Sequence, residues 1–276
     1  HYNLACCYSL LGNVSKALKS LGEAIDLGFD DIKHIENDSD LNGLRDEADY
    51  KKLVSYAVEI ETAKEEVRKN PDDAMAHKNL GVAYGELGKQ QEEIESYKQA
   101  ILIDPNYAQA HYNLGVAYGE LGKHQEAIES YEQAIRIDPD DADAHNNLGY
   151  AYYELGRYEE ATESYKQAIR IDPDHVNAHD NLGVAYGDSG KYEEAIESFK
   201  QTIRLDPDFA WAHNNLGLAY FDSGKYEEAV ESFKQAIRID PDFAMAHDNL
   251  GYTYYELGKY KEAIESCKQA IRLDPD

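Results

Sequence analysis

Pro71, Pro105, Pro139, Pro173, Pro207, Pro241 and Pro275 are all the prolines in the chain, and each stands 34 residues from the next. A constant period of this size rules out one irregular globular core and predicts stacked copies of one supersecondary element. The stretch from Pro139 to Asp172 shows what that element is. It reads as Pro-Asp-Asp, an apolar-periodic run from Ala142 to Leu155, Gly156, a second run from Tyr158 to Ile171, and then Asp-Pro again. Proline at a helix start loses no needed hydrogen bond, Asp140 and Asp141 can cap free amides, and Gly156 suits the left-handed residue that ends a helix. Each period is therefore a helix, a tight turn and a second helix.

At 100° per residue the first helix places His145, Leu148, Gly149, Tyr152 and Leu155 on a core side and Asp143, Asn146, Asn147, Tyr150, Tyr153 and Glu154 on an open side. In the second helix Ala161, Tyr165, Ala168 and Ile169 form the apolar stripe. Small residues at Gly149 and Ala161 fit a close helix crossing. One such pair cannot cover its own apolar faces, so successive pairs must stack into a solenoid.

The residues resemble the tetratricopeptide repeat (TPR), with Leu-Gly-x-x-Tyr kept in six complete repeats, from Leu80, Gly81 and Tyr84 to Leu250, Gly251 and Tyr254, and a turn glycine kept from Gly88 to Gly258. The resemblance implies an all-α, right-handed superhelical solenoid whose first helices line a concave groove. In place of an early aromatic the chain has His77, His111, His145, His179, His213 and His247. Each histidine sits on its own helix, too far from the next to share a metal, so packing with a satisfied ring nitrogen is expected. Glu93 replaces a packing alanine at the helix crossing of the first full repeat, which predicts a looser repeat there. Thr202 replaces another alanine, and Cys267 the last aromatic.

The organisation expected is a partial repeat over 1–28, a degenerate and longer helical repeat over 29–70, and six repeats over 71–276. In the degenerate repeat, Ile32 to Arg45 predicts two short helical turns and Tyr50 to Lys69 one long helix, either a distorted repeat continuous with the array, the reading favoured, or a joint between two arrays. Both chain ends fall inside or at the edge of a repeat, so the array is expected to extend beyond them.

With 54 acidic against 27 basic residues the net charge is -27, which repels nucleic acid phosphates and anionic lipid headgroups. No apolar run is long enough for a membrane span. Cys6, Cys7 and Cys267 are too few for a disulfide framework, and free thiols point to a reducing compartment, so a cytoplasmic location is expected. The sequence carries no G-x-G-x-x-G after a strand, P-loop, G-x-S-x-G or H-E-x-x-H pattern. No catalysis, metal or cofactor is predicted.

What recurs outside the core is a surface. An asparagine stands on the open side of every first helix, at Asn79, Asn113, Asn147, Asn181, Asn215 and Asn249. An amide donates and accepts, so such a row can pair with the backbone of an extended peptide. Matching asparagines contact peptide backbone in the repeats of O-GlcNAc transferase and of chaperone-binding co-chaperones; the same residue is also common in the repeat scaffold, and both readings stand. Of the basic residues a carboxylate clamp needs, only Lys78 is present, with Tyr112, Asn146, Asp180, Asn214 and Asp248 at its register in the later repeats. An acid closes the face instead, at Glu86, Glu120, Glu154, Asp188, Asp222 and Glu256, which favours a neutral to basic peptide and salt-sensitive binding; a solvated charged face with no ligand is the alternative. Tyr150, Tyr153, Trp211, Phe221, Tyr252 and Tyr255 are candidate aromatic anchors, with packing of Trp211 against Phe209 as the alternative.

The function expected is a non-catalytic scaffold that holds an extended neutral to basic segment in its concave groove. The alternatives are a recruiting arm of a larger enzyme, of glycosyltransferase or protease effector type, and an array that self-associates end to end.

Overall fold

The computed structural model describes residues 1–26 and 32–275, and among them it holds sixteen α-helices, one 3-10 helix and no strand. The boundary expected at 28/29 lies outside the described residues. Two compact units divide the chain, His1–Ile137 and Asp138–Asp276.

In the first unit, α1 (Tyr2–Leu10) and α2 (Val14–Asp26) form a hairpin, followed by α3 (Ile32–Asn37), a 3-10 helix (Ser39–Leu44) and the long α4 (Ala48–Lys69). Two full hairpins follow, α5 (Ala74–Glu86) with α6 (Gln90–Ile103) and α7 (Ala108–Glu120) with α8 (His124–Ile137). One apolar cluster joins Ala5, Leu21, Ile35, Leu41, Leu44, Tyr50 and Val54. Farther along α4, Ile60 and Ala63 pack on Ala83 of α5. The first, irregular part of this unit thus shares its core with the regular part.

The second unit is four hairpins: α9 (Ala142–Glu154) with α10 (Tyr158–Ile171), α11 (Val176–Asp188) with α12 (Tyr192–Leu205), α13 (Ala210–Asp222) with α14 (Tyr226–Ile239), and α15 (Ala244–Glu256) with α16 (Tyr260–Leu273). Between stacked hairpins Ile196 and Phe199 of α12 pack on Leu216 and Ala219 of α13. Val230 and Phe233 of α14 repeat this against Leu250 of α15. On α16 the matching Ile264 is 56% exposed.

The local chemistry repeats with the sequence. Gly156 has φ 71°, and beyond it the Arg157 amide donates to Tyr152 O at 3.0 Å, a turn that only a residue free to adopt positive φ allows at low cost. Asp141 caps α9 by accepting from the Ala144 amide at 3.0 Å. The register histidines hold the interhairpin turns: His179 Nε2 lies 3.0 Å from Pro173 O, and His213 Nε2 3.1 Å from Pro207 O.

Two packing expectations are corrected. Gly149 does not serve a close approach of two backbones. A Cβ there would lie 2.7 Å from the ring of Tyr165, so the missing side chain makes room for an aromatic of the second helix. Asn146 was expected on the open side and is buried; the reason is a hydrogen bond described below. Glu93, expected to loosen its repeat, is 7% exposed and folds inward beneath Gly85.

Candidate functional site

In the second unit α9, α11, α13 and α15 lie side by side. Residues at spacing i, i+4, i+7 and i+11 fall on one stripe of a helix. On α13 these are Trp211, Asn215, Leu218 and Asp222, and the matching stripes run through Asn147, Tyr150 and Glu154, through Asn181, Val184 and Asp188, and through Asn249 and Tyr252.

The asparagines are tied to one another. Asn181 Nδ2 donates to Asn146 Oδ1 at 3.0 Å, and Asn249 Nδ2 donates to Asn214 Oδ1 at 2.9 Å. Between these two rungs Asn215 hydrogen-bonds the carboxyl of Asp180. Each amide therefore spans two adjacent first helices and reaches the residue that precedes the asparagine of the earlier repeat. This explains why Asn146 and Asn214 are buried, Asn214 completely. The carboxyl of Asp180, in the same register, is pushed up to about 6 by burial, against which the Asn215 hydrogen bond acts. The Asn146 amide in turn donates to Asn147 Oδ1 at 3.2 Å. In the first unit the register residues before Asn79 and Asn113 are Lys78 and Tyr112, and Asn113 pairs with the Tyr97 hydroxyl.

Beside this ladder a hollow of about 140 Å³ opens between α11 and α13. Val184 and Leu218 form its apolar sides, Phe199 contributes from below, and Asp188, Asp222 and Asn215 supply its polar rim. The space exists because position 187 is glycine: a Cβ there would meet nothing within 4 Å, while α9 and α13 carry Tyr153 and Phe221 at the same register. Asp222 is held above the usual carboxylate range, first by burial and then by the charge of Asp188. Asp188 also accepts from the Tyr153 hydroxyl at 2.5 Å. Two acids side by side with an amide and an apolar wall can accept a cationic side chain with an aliphatic stem.

The aromatic candidates separate into three places. Tyr153 lies against Tyr158 with ring centroids 5.6 Å apart, and Tyr150 hydrogen-bonds Glu154. Phe221 packs on Tyr252 at 5.3 Å, and Tyr252 stacks on Tyr255 at 6.5 Å, in a patch completed by Tyr226 and Tyr260. Trp211 is 49% exposed at the opposite end of α13 and leans on Phe243 at 4.6 Å, the residue that stands one repeat beyond the Phe209 considered from the sequence. Sequence reasoning missed Gly187, Val184 and Leu218, whose signal was present as the alternation of glycine and aromatic at one register.

In the first unit, Asn79 and Val82 line a shallow hollow against Val58, Thr62 and Glu66 of α4. Elsewhere in that unit Cys6, Asp38 and Asp40 bring three potential metal ligands together. Asp38 already accepts from the Tyr2 hydroxyl at 2.8 Å and the Asp40 amide at 2.9 Å, and burial, with Asp38 beside it, pushes the Cys6 thiol up to about 11. A protonated thiol and a carboxylate occupied by donors form a hub that pins the 3-10 helix to α1. No helix among the described residues is long and apolar enough to cross a membrane.

Family models described as TPR repeat or tetratricopeptide repeat match residues 1–29, 86–122, 120–156, 149–190, 185–224, 217–258 and 244–276. A chloroplastic protein of Arabidopsis thaliana is 45% identical over 53 residues, which is 19% of this chain and 16% of that protein. The crystal structure of MamA is similar with a TM-score of 0.56 at 28% identity, over 59% of this chain and 95% of that one. YrrB, described as a TPR protein with an unusual peptide-binding site, is similar in fold alone, with a TM-score of 0.59 at 24% identity over 68% of this chain and 96% of that one. Stacked helical hairpins, the turn chemistry and the matched repeats agree: the chain belongs to the tetratricopeptide-repeat family of protein-interaction scaffolds.

Proposed function

We propose that the chain holds an extended, neutral to basic peptide segment along the open faces of its first helices, without catalysis of its own. The observation that carries this reading is the hollow between α11 and α13, where Asp188, Asp222 and Asn215 meet beside Val184 and Leu218. A lysine or arginine stem would lie on the apolar wall, and its charge would face two carboxylates whose mutual repulsion it relieves. Exposed aromatics at Tyr252 and Tyr255 supply rigid apolar contact beside it. The asparagine row supports the reading through position, since one amide donor at each of Asn181, Asn215 and Asn249 is taken by the ladder.

The asparagines are therefore poor positions for a test, because their loss disturbs the stacking of helices. The discriminating variant is Asp188→Asn with Asp222→Asn. Random-peptide display on the intact chain should enrich lysine- or arginine-containing sequences, with capture lost in high salt and lost in the double variant. Equal enrichment by both proteins, or enrichment of acidic sequences, overturns the reading.

A further inference from the structure

Glu93 is the one acid at its register: Ala127, Ala161, Ala195, Ala229 and Ala263 stand there in the other five repeats. Glu93 is 7% exposed, and its Oε2 is buried without a hydrogen-bond partner. The Tyr97 hydroxyl on the same helix hydrogen-bonds the group, and Glu120 of α7 acts on it through its charge. From α5 the residue against it is Gly85, whose Cβ, if it had one, would lie 2.8 Å from Glu93 Oε1. Gly85 belongs to the open face of α5, at the register that Tyr153, Phe221 and Tyr255 fill in the second unit. The Glu93 carboxyl thus fills the space that a side chain at Gly85 would take, directly beneath the surface on which the peptide reading places a ligand. Asn113, on the neighbouring first helix, hydrogen-bonds Tyr97 and completes the polar surroundings.

Burial without a counter-charge is the costliest state for a carboxylate, and no cation among the described residues of the first unit is paired with Glu93. We infer that the surface over Gly85 is a socket for one cationic side chain of the bound segment, an ammonium or a guanidinium, with the Glu93 carboxylate beneath it as its counter-charge. This rests on the reading of the open face as a peptide site. The chain lies over Gly85, where no side chain blocks it, and the cation meets the carboxylate from that side, with Glu120 reinforcing its charge. The titratable groups bearing on Glu93 are Tyr97 from its own helix and Glu120 from α7, while α5 offers only the glycine. Unoccupied, the carboxyl is pushed up to about 7 by burial and then by Glu120. Occupancy favours the carboxylate, so binding releases the Glu93 proton to solvent and tightens as pH rises.

The test uses the intact chain and a fluorescein-labelled peptide of alternating glycine and arginine, with an alternating glycine and lysine peptide as a second arm, at pH 5.5 and pH 8 and constant ionic strength. A drop of about two pH units in the carboxyl on binding makes the wild-type affinity about tenfold to twentyfold higher at pH 8. Glu93→Gln, of the same size and still able to bond Tyr97, should flatten this to about threefold or less. Carboxyl ¹³C resonances of the unmutated chain give an independent readout. Methylguanidinium or ethylammonium should lower the Glu93 titration midpoint beyond what equal sodium chloride does, and the stronger probe names the cation. An unchanged pH slope in Glu93→Gln, or a midpoint that neither probe moves, overturns the socket and leaves the groove reading standing. Failure of both labelled peptides to bind at either pH removes both readings.

Discussion

The side-chain amide of Asn181 donates to Asn146 Oδ1 across 3.0 Å, joining two first helices 35 residues apart in sequence. The same bond joins Asn249 to Asn214. The row of asparagines on the open face of the second unit is therefore a stacking device as well as a surface. Asn181→Ala leaves the buried Asn146 oxygen without its donor and should cost about 1–3 kcal/mol. Adding Asn146→Ala should cost less than the two single changes summed, because the orphaned acceptor is then gone. Urea unfolding of the four proteins measures this; strict additivity would mean the bond is not a coupling.

Asp180 offers a sharper probe of the same ladder. Its carboxyl is raised from 3.8 to about 6 by burial, so the neutral form suits the folded state. The stability it contributes is present below pH 3.8 and is lost as pH rises through about 6. Asp180→Asn installs the residue found at Asn146 and Asn214, and should stabilise the chain at pH 8 while leaving it near wild type at pH 4. Melting temperatures across that range test the sign.

Glu93 acts by the same linkage in the first unit, between pH 4.5 and about 7. Replacement by alanine, as in the other repeats, should stabilise the free chain at pH 8 by on the order of 3 kcal/mol and by far less at pH 4. A gain that does not vary with pH would point to relief of crowding instead of charge.

Two glycines of the second unit should respond in opposite directions. A Cβ on Gly217 would lie 2.5 Å from the Phe233 ring, whereas one on Gly187 meets open space. Gly217→Ala should destabilise by about 1–3 kcal/mol through overpacking. Gly187→Ala should stabilise its helix by about 0.5–1 kcal/mol, and Gly187→Tyr should close the hollow and lower peptide affinity. Unfolding curves together with peptide titrations separate the two effects.

Burial also separates residues that the repeat pattern makes equivalent. Ile196 is 3% exposed and Ile264 56%. Ile196→Ala should cost about 2–4 kcal/mol, and Ile264→Ala less than about 1 kcal/mol. Similar losses at both would show that the face of α16 is covered in solution.

Periodicity, the Pro-Asp turns, the turn glycines and the histidine positions were all readable from the chain because the forces behind them act within one repeat. Gly156 needs its positive φ whatever lies beyond the hairpin, and His145 finds Pro139 six residues away. The candidate groove was readable only as a set of positions. Its chemistry depends on pairs that meet when hairpins stack: Asn181 with Asn146, Tyr153 with Asp188, Asp188 with Asp222, and Trp211 with Phe243. An asparagine on a helical wheel looks the same whether its amide faces solvent or a neighbouring helix. Asn146 was misassigned to the open side because a polar residue seeks water only until another helix offers it a partner. Glu93 likewise looked like a defect in one helix pair. Its orientation under Gly85 follows from the volume that a missing side chain leaves, and that volume exists only once α5, α6 and α7 are packed together.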